Sequence, residues 1–245
     1  MPTPQARTTI LLGEKGVQML ADKTVMVAGL GGVGGYCAEA IARAGVGRMI
    51  IIDHDVVSPS NLNRQLLALH STLGEKKTQI MKQRLFDINP NLELIVVDEF
   101  IRAQSAEDVL EKYQPDVLAD CIDSIACKAA LVYQAQQRNV AVISAMGAGN
   151  RVDVSKVRLR TLNQTSGCPL ARELRKALKE LGANLRYPVV FSDEPRRQPL
   201  SHQPITGAES GRARAVNGTI SYLPALFGFM MAGYILNQWI EPVEA

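Results

Sequence analysis

Apolar residues fall along this chain in short β-branched runs, and between them lie stretches with helical spacing. A first amphipathic helix is predicted over 8–22, interrupted at Gly13. Strands are predicted at 24–29, 48–53, 92–97, 117–122 and 140–146, because each is a compact apolar run of strand length. Helices over 33–44, 75–88, 105–112 and 125–138 fill the gaps, and Asn89-Pro90 stops the second of these. Strand, helix, strand in steady alternation implies an α/β, Rossmann-like, doubly wound and mainly parallel sheet, with ligands at the carboxyl ends of its strands. After Gly147 the rhythm changes. A strand at 157–162, a basic helix at 169–181 and a strand at 184–191 are followed by a polar loop over 192–215 and an apolar stretch, 220–240. The predicted organisation is a Rossmann-like part over 1–150 and a C-terminal part over 151–245 that completes the same domain.

The apolar stretch at 220–240 is nearly of membrane length, but Pro224, Asn237 and Gln238 shorten its clean run. A helix buried on the sheet or at a dimer interface is the preferred expectation, with a peripheral membrane contact as the alternative. The first sixteen residues lack the apolar core of a signal peptide. The four cysteines form no C-x-x-C pair, which argues against tetrahedral zinc, and their scatter suits a reducing, cytoplasmic setting. A net charge of +3 does not by itself imply a nucleic-acid partner. Local clusters do raise it: Arg172, Arg175, Lys176 and Lys179 recur at helical spacing, and Arg196, Arg197, Arg212 and Arg214 follow. Such a face tracks RNA phosphates or is simply solvated.

The densest chemistry lies between Val25 and Asp53. Gly29, Gly31 and Gly34 fit G-x-G-x-x-G, with Gly32 added, and they sit between a strand and a helix. Glycines there let backbone approach a phosphate, and the helix aims its amide N–H groups at it. Asp53 ends the next strand, where a carboxylate holds a ribose hydroxyl. That pattern alone fits NAD as well as ATP. Three further elements favour ATP. The loop Ser60-Asn61-Leu62-Asn63-Arg64-Gln65 puts an arginine and amides at the mouth of the site, suited to a triphosphate. Gly74-Glu75-Lys76-Lys77 puts lysines at a helix start, able to reach back to phosphates or simply to face solvent. Asp120-Cys121-Ile122-Asp123-Ser124 puts Asp123 at a strand's carboxyl end, where a carboxylate suits Mg²⁺; Asp123 or Ser124 also serves as a helix cap.

Taken together, GLGGVGG, IIDHD, SNLNRQ, GEKK and DCIDS resemble the adenylating domain shared by ubiquitin-activating enzymes and the bacterial ThiF and MoeB proteins. The resemblance implies Gly31, Gly32 and Gly34 under the phosphates, Asp53 on the ribose, Asn61, Arg64 and Lys77 at the phosphates, and Asp123 with magnesium. Gly29, Asp55, Gln65 and Ser124 complete the expected nucleotide site, with Arg64, Lys77 and Asp123 as its catalytic members. It also implies activation of a carboxylate as an acyl-adenylate with release of pyrophosphate. A homodimer follows by the same analogy, with Arg7 as a counterpart of an arginine that enters the neighbouring site.

The C-terminal half departs from the sulfur-carrier activators, which carry two C-x-x-C pairs. Cys168, in Ser166-Gly167-Cys168-Pro169, is the thiol best placed for a thioester, though a small residue before proline is an ordinary helix start. LLGEKGVQML, CPLARELRKALK, VVFSDEP and GTISYLPALFGFMMAGYIL instead resemble the tRNA threonylcarbamoyladenosine dehydratase branch of the family. That resemblance implies ATP-dependent cyclisation of the modified adenosine next to the anticodon, without a protein nucleophile. Arg172, Arg175 and Lys176 are then the expected tRNA contacts, and a sulfur-relay protein is a candidate partner. The competing readings are activation of the C-terminal glycine of a ubiquitin-like carrier, an NAD-dependent oxidoreductase, and a nucleotide-binding scaffold without activity.

Overall fold

The computed structural model describes residues 4–198 and 217–240. A single seven-stranded sheet runs through them in the order β3-β2-β1-β4-β5-β7-β6. Its strands are β1 (Thr24–Ala28), β2 (Arg48–Ile52), β3 (Glu93–Val97), β4 (Val117–Asp120), β5 (Ala141–Ala145), β6 (Val157–Thr161) and β7 (Pro188–Ser192). All pairings are parallel except β6 with β7. The helices are α1 (Ala6–Ala21), α2 (Gly34–Ala44), α3 (Lys77–Ile88), α4 (Ala106–Tyr113), α5 (Ile125–Gln137), α6 (Pro169–Glu180) and α7 (Tyr222–Asn237). The expected α/β, mainly parallel architecture is therefore observed. β6 and β7 join the sheet built by the first 150 residues.

Both faces of the sheet are covered, which is why its strands read as unbroken apolar runs rather than alternating ones. In β1, Val25 and Val27 pack towards α2, α3 and α7, while Met26 and Ala28 pack towards α4, α5 and α6. In β2, Met49 and Ile51 share the first core and Ile50 and Ile52 the second. The stretch predicted over 220–240 is α7, and it is buried against α2 rather than free. A Cβ on Gly228 would stand 2.4 Å from the carbonyl oxygen of Val33, so glycine is what lets the two helices come this close. No described helix is long and apolar enough to cross a membrane.

Several boundaries differ from those the sequence predicts, for local reasons. α3 begins at Lys77 rather than residue 75, because Gly74, Glu75 and Lys76 pair back onto residues 55–57: Val57 N–H donates to the Glu75 carbonyl and Gly74 N–H to that of Val57. β4 ends at Asp120 because the Ile122 N–H turns onto the Asp120 carboxylate, 3.3 Å away. The predicted strand 184–191 is reduced to Pro188–Ser192; Asn184 is instead held by both ends of the Gln136 amide, at 2.8 Å each. α1 bends at Gly13, where φ is 71°. The predicted loop 192–215 gives up Ser192 to β7 and is irregular over 193–198; its remainder, with Arg212 and Arg214, lies outside the described residues.

Candidate nucleotide-binding site

The carboxyl ends of β1, β2 and β4 meet at the glycine turn. A Cβ on Gly34 would lie 1.7 Å from the Gly29 carbonyl oxygen, so the turn closes only with glycine there. α2 starts directly behind it at Gly34; the Gly35 N–H already donates to the Gly31 carbonyl at 3.2 Å, and the other first-turn N–H groups have no partner within the helix, as an anion site needs. Asp53 is buried just beyond β2. Its carboxylate accepts the Leu30 N–H at 2.6 Å and the Asp55 N–H at 2.8 Å. One residue thus ties the glycine turn to the loop after β2, and each carboxylate oxygen keeps a lone pair for a ribose hydroxyl.

The Ser60–Gln65 loop lies over this turn. Asn61 is buried, and its Oδ1 accepts the Ser58 N–H at 3.1 Å, which shapes the loop. Arg64 donates to the Ser60 carbonyl at 2.8 Å and to Asn63 Oδ1 at 2.9 Å. Its Cγ stands 3.4 Å from the Cβ position of Gly32, and partial burial lowers its pKa without threatening its charge. Asn63 in turn donates to the Thr219 carbonyl at 2.9 Å, joining this loop to the start of α7. Gln65 is buried beside Gly31, and its Oε1 has no hydrogen-bond partner among the described residues. A buried acceptor left open in this way suits a ligand donor.

Lys77 is buried, unlike a solvated helix-face lysine, and its ammonium pairs with Asp55 at 2.8 Å. Asp55 is half exposed. The pair places a cation at the rim of the nucleotide site, with an exchangeable partner. Asp53, His54 and Asp55 bring ligand atoms within 4.8 Å of one another, but Asp53 is engaged by two N–H groups and Asp55 by Lys77. Asp123 is exposed after β4, on the same side of the sheet. Ser124 occupies the cap position of α5, yet its hydroxyl makes no cap bond and points to Cys127 Sγ at 3.4 Å. One exposed carboxylate beside a phosphate site fits the few protein ligands Mg²⁺ takes.

Basic charge is unevenly placed. Residues 151–198 hold eleven Lys and Arg against five Asp and Glu, whereas residues 1–150 hold fourteen against sixteen. On α6, Arg172, Lys176 and Lys179 are exposed. Arg175 is not part of that face: its guanidinium donates to the Leu162 and Thr165 carbonyls and to the Thr165 hydroxyl, fastening the helix to the loop before it. Spacing on the helix alone groups Arg175 with its neighbours, and only the tertiary contact separates them. Cys168 is buried at the cap of α6.

Among the buried charges that escaped the sequence reading are Arg151 and Lys128. Arg151 donates to the carbonyls of Gly147, Gly167 and Glu194 at 2.7, 2.7 and 3.0 Å, binding three loops together. Lys128 lies inside α5 with no exposed surface, paired with Asp120. A lysine at a position where Cys127, Ala129 and Leu131 imply burial is a signal the sequence does contain.

Comparison with known proteins agrees with this geometry. The chain is 33% identical to the tRNA threonylcarbamoyladenosine dehydratase of Bacillus subtilis over 98% of its own length and 95% of that protein's. It is 32% identical to the Escherichia coli dehydratase, covering 94% and 91% of the two chains. The crystal structure of the E. coli enzyme in complex with ATP superposes with a TM-score of 0.85 at 30% identity, covering 98% and 96%. The E. coli sulfur carrier protein ThiS adenylyltransferase is 33% identical, but over 55% of this chain. A profile of the ThiF family matches residues 4–241. With its glycine turn, its Asp53 anchor and its arginine loop in the places that profile spans, the chain belongs to the ThiF family.

Proposed function

We infer that this protein is an ATP-dependent tRNA threonylcarbamoyladenosine dehydratase. The observation that carries the reading is the extent of the likeness. Similarity to the dehydratases runs through the basic 151–198 region, whereas the match to the sulfur-carrier adenylyltransferase covers about half the chain. A tRNA substrate also accounts for the surplus of basic residues in that region.

In the reaction, a carboxylate oxygen of the threonyl group attacks the α-phosphorus of ATP, and the bond to pyrophosphate breaks. An internal nucleophile of the same side chain then attacks the acyl carbon, AMP leaves, and a ring closes with net loss of water. The protein's part is positioning and charge compensation. Gly29, Gly31, Gly32 and Gly34 with the first turn of α2 receive the phosphates, and Asp53 receives the ribose. Asn61 shapes the loop from which Arg64 meets the triphosphate, and the open Gln65 Oε1 accepts a nucleotide donor. Lys77 exchanges Asp55 for a phosphate oxygen. Asp123, with Ser124 beside it, would hold Mg²⁺, which neutralises phosphate charge when bound. Residues 1–150 thereby serve the nucleotide and residues 151–245 the tRNA, with Arg172 and Lys176 on its backbone. A homodimer, with Arg7 at the neighbouring site, and a sulfur-relay partner belong to the same reading.

The test is turnover of tRNA bearing threonylcarbamoyladenosine, with ATP and Mg²⁺, read by mass spectrometry of nucleosides digested under mild conditions. ATP-dependent loss of one water from that nucleoside is expected, and Asp123→Ala should abolish it with the fold intact. An unchanged nucleoside from folded, ATP-binding protein would overturn the reading in favour of activating a carrier-protein C-terminus.

A further inference from the structure

The Lys128 ammonium is fully buried and sits against three acceptors: Asp120 Oδ2 at 2.8 Å, the Ile122 carbonyl at 2.9 Å and the Asp120 carbonyl at 3.3 Å. These match the three donors an ammonium has. The Asp120 carboxylate is equally well served. Ser144 Oγ donates to Oδ2 at 2.6 Å, and the Ile122 N–H donates to Oδ1 at 3.3 Å. Behind Ser144 stands the buried hydroxyl of Tyr187, which donates to it at 3.3 Å. Asp120 and Ser144 are register partners on β4 and β5, and Tyr187 immediately precedes β7. A line of hydrogen bonds thus crosses three strands and ends on the turn 120–122.

That turn is the floor of the nucleotide site. A Cβ on Gly29 would stand 3.0 Å from the Cys121 carbonyl oxygen, and one on Gly34 would stand 3.2 Å from Cys121 Cβ. Asp123 is the next residue but one. A buried ion pair is a poor source of stability, since an apolar pair of similar volume replaces it at little cost. Its acceptors here include two carbonyls of one turn, so what it fixes is the path of that turn. We propose that Lys128, through its ion pair with Asp120 and its hold on the 120–122 carbonyls, is a positioning residue that sets Asp123 against the bound phosphates. The catalytic consequence rests on the function proposed above; the hold on the turn does not.

The test is the double substitution Lys128→Met with Asp120→Asn, which removes both buried charges and keeps their volume. A folded protein melting about 4–8 °C below wild type is expected, because the Asp120 and Ile122 carbonyls lose their buried donor. AMP affinity without divalent ions should stay within about threefold, while kcat falls at least about tenfold through loss of alignment. Hydrogen exchange followed by mass spectrometry should show the 121–124 peptide exchanging at least tenfold faster, with the glycine-turn peptide unchanged. Where the pair does not fold, Ser144→Ala, which removes one donor to the Asp120 carboxylate and leaves the ion pair and both carbonyl contacts in place, carries the exchange expectation at smaller size. An unchanged exchange rate at 121–124 would overturn the clamp. A loosened turn with kcat unchanged would overturn its catalytic role, as would AMP affinity falling in step with kcat. Failure of wild-type protein to act on tRNA would count against the dehydratase function, and the exchange measurement would still decide the clamp.

Discussion

Replacing Asp53 by Asn should damage the nucleotide site and the fold together. The wild-type carboxylate accepts the N–H groups of Leu30 and Asp55, one on each oxygen. Asparagine offers one acceptor oxygen and one NH₂ group, so one of the two N–H groups then faces another donor. A hydrogen bond to a charged group contributes about 1.5–3 kcal/mol, and an unsatisfied buried donor costs a similar amount, so a loss of about 2 kcal/mol follows. For a chain of this size each kcal/mol shifts the melting temperature by about 2–4 °C, which predicts a fall of about 4–8 °C. The ribose loses its carboxylate acceptor as well, and AMP affinity should fall more than about tenfold, the equivalent of ~1.4 kcal/mol. Differential scanning fluorimetry and calorimetric AMP titration on one preparation check both. An Asp53→Asn protein that melts within 1 °C of wild type would refute the assigned fastening of the glycine turn. Unchanged AMP affinity would refute the ribose contact.

Lys77→Met should separate activity from stability. Asp55 is half exposed and rehydrates when its partner is lost, so melting should shift by no more than about 3 °C while kcat falls at least about thirtyfold; equal loss of both would contradict a phosphate role. Charge reversal at Arg172 and Lys176 should raise the KM for tRNA and leave that for ATP unchanged. Each reversed contact should also lower the slope of log affinity against log salt by about one. The Cys121 thiol is pushed well above its usual pKa by the neighbouring Cys37 thiol, then by burial. In native protein at pH 8 it should therefore resist iodoacetamide until unfolding, and rapid stoichiometric labelling of Cys121 would contradict this.

The parallel sheet and the glycine turn were legible because both are written locally. Strands covered on two faces show as continuous apolar runs, and a turn that admits no Cβ shows as glycine. Asp53 could be placed because it directly follows β2, and Arg64 because it sits in a compact local motif, residues 60–65. Arg175 could not: it lies on the same α6 repeat as Arg172 and Lys176, and its commitment to Thr165 depends on how the preceding loop folds back. The antiparallel run of β6 was equally hidden, since strand direction is set by how α6 returns the chain and not by the composition of Val157–Thr161. Lys128 and Asp120 are eight residues apart, and each alone resembles an ordinary helix or strand charge. Their meeting shows only once α5 is packed on β4.

The contact between α7 and α2 bears on how the chain matures during synthesis. Phe227, Met231 and Ile235 share a core with Cys37, Ala38 and Ile41, and Gly228 sits on the carbonyl of Val33. The residues that name the nucleotide site all lie within the first 124 of 245, yet α7, one wall of the phosphate turn, begins only at Tyr222. Until then the part of α2 that faces α7 is uncovered. A nascent chain therefore carries the nucleotide signature before α7 closes that wall of the turn.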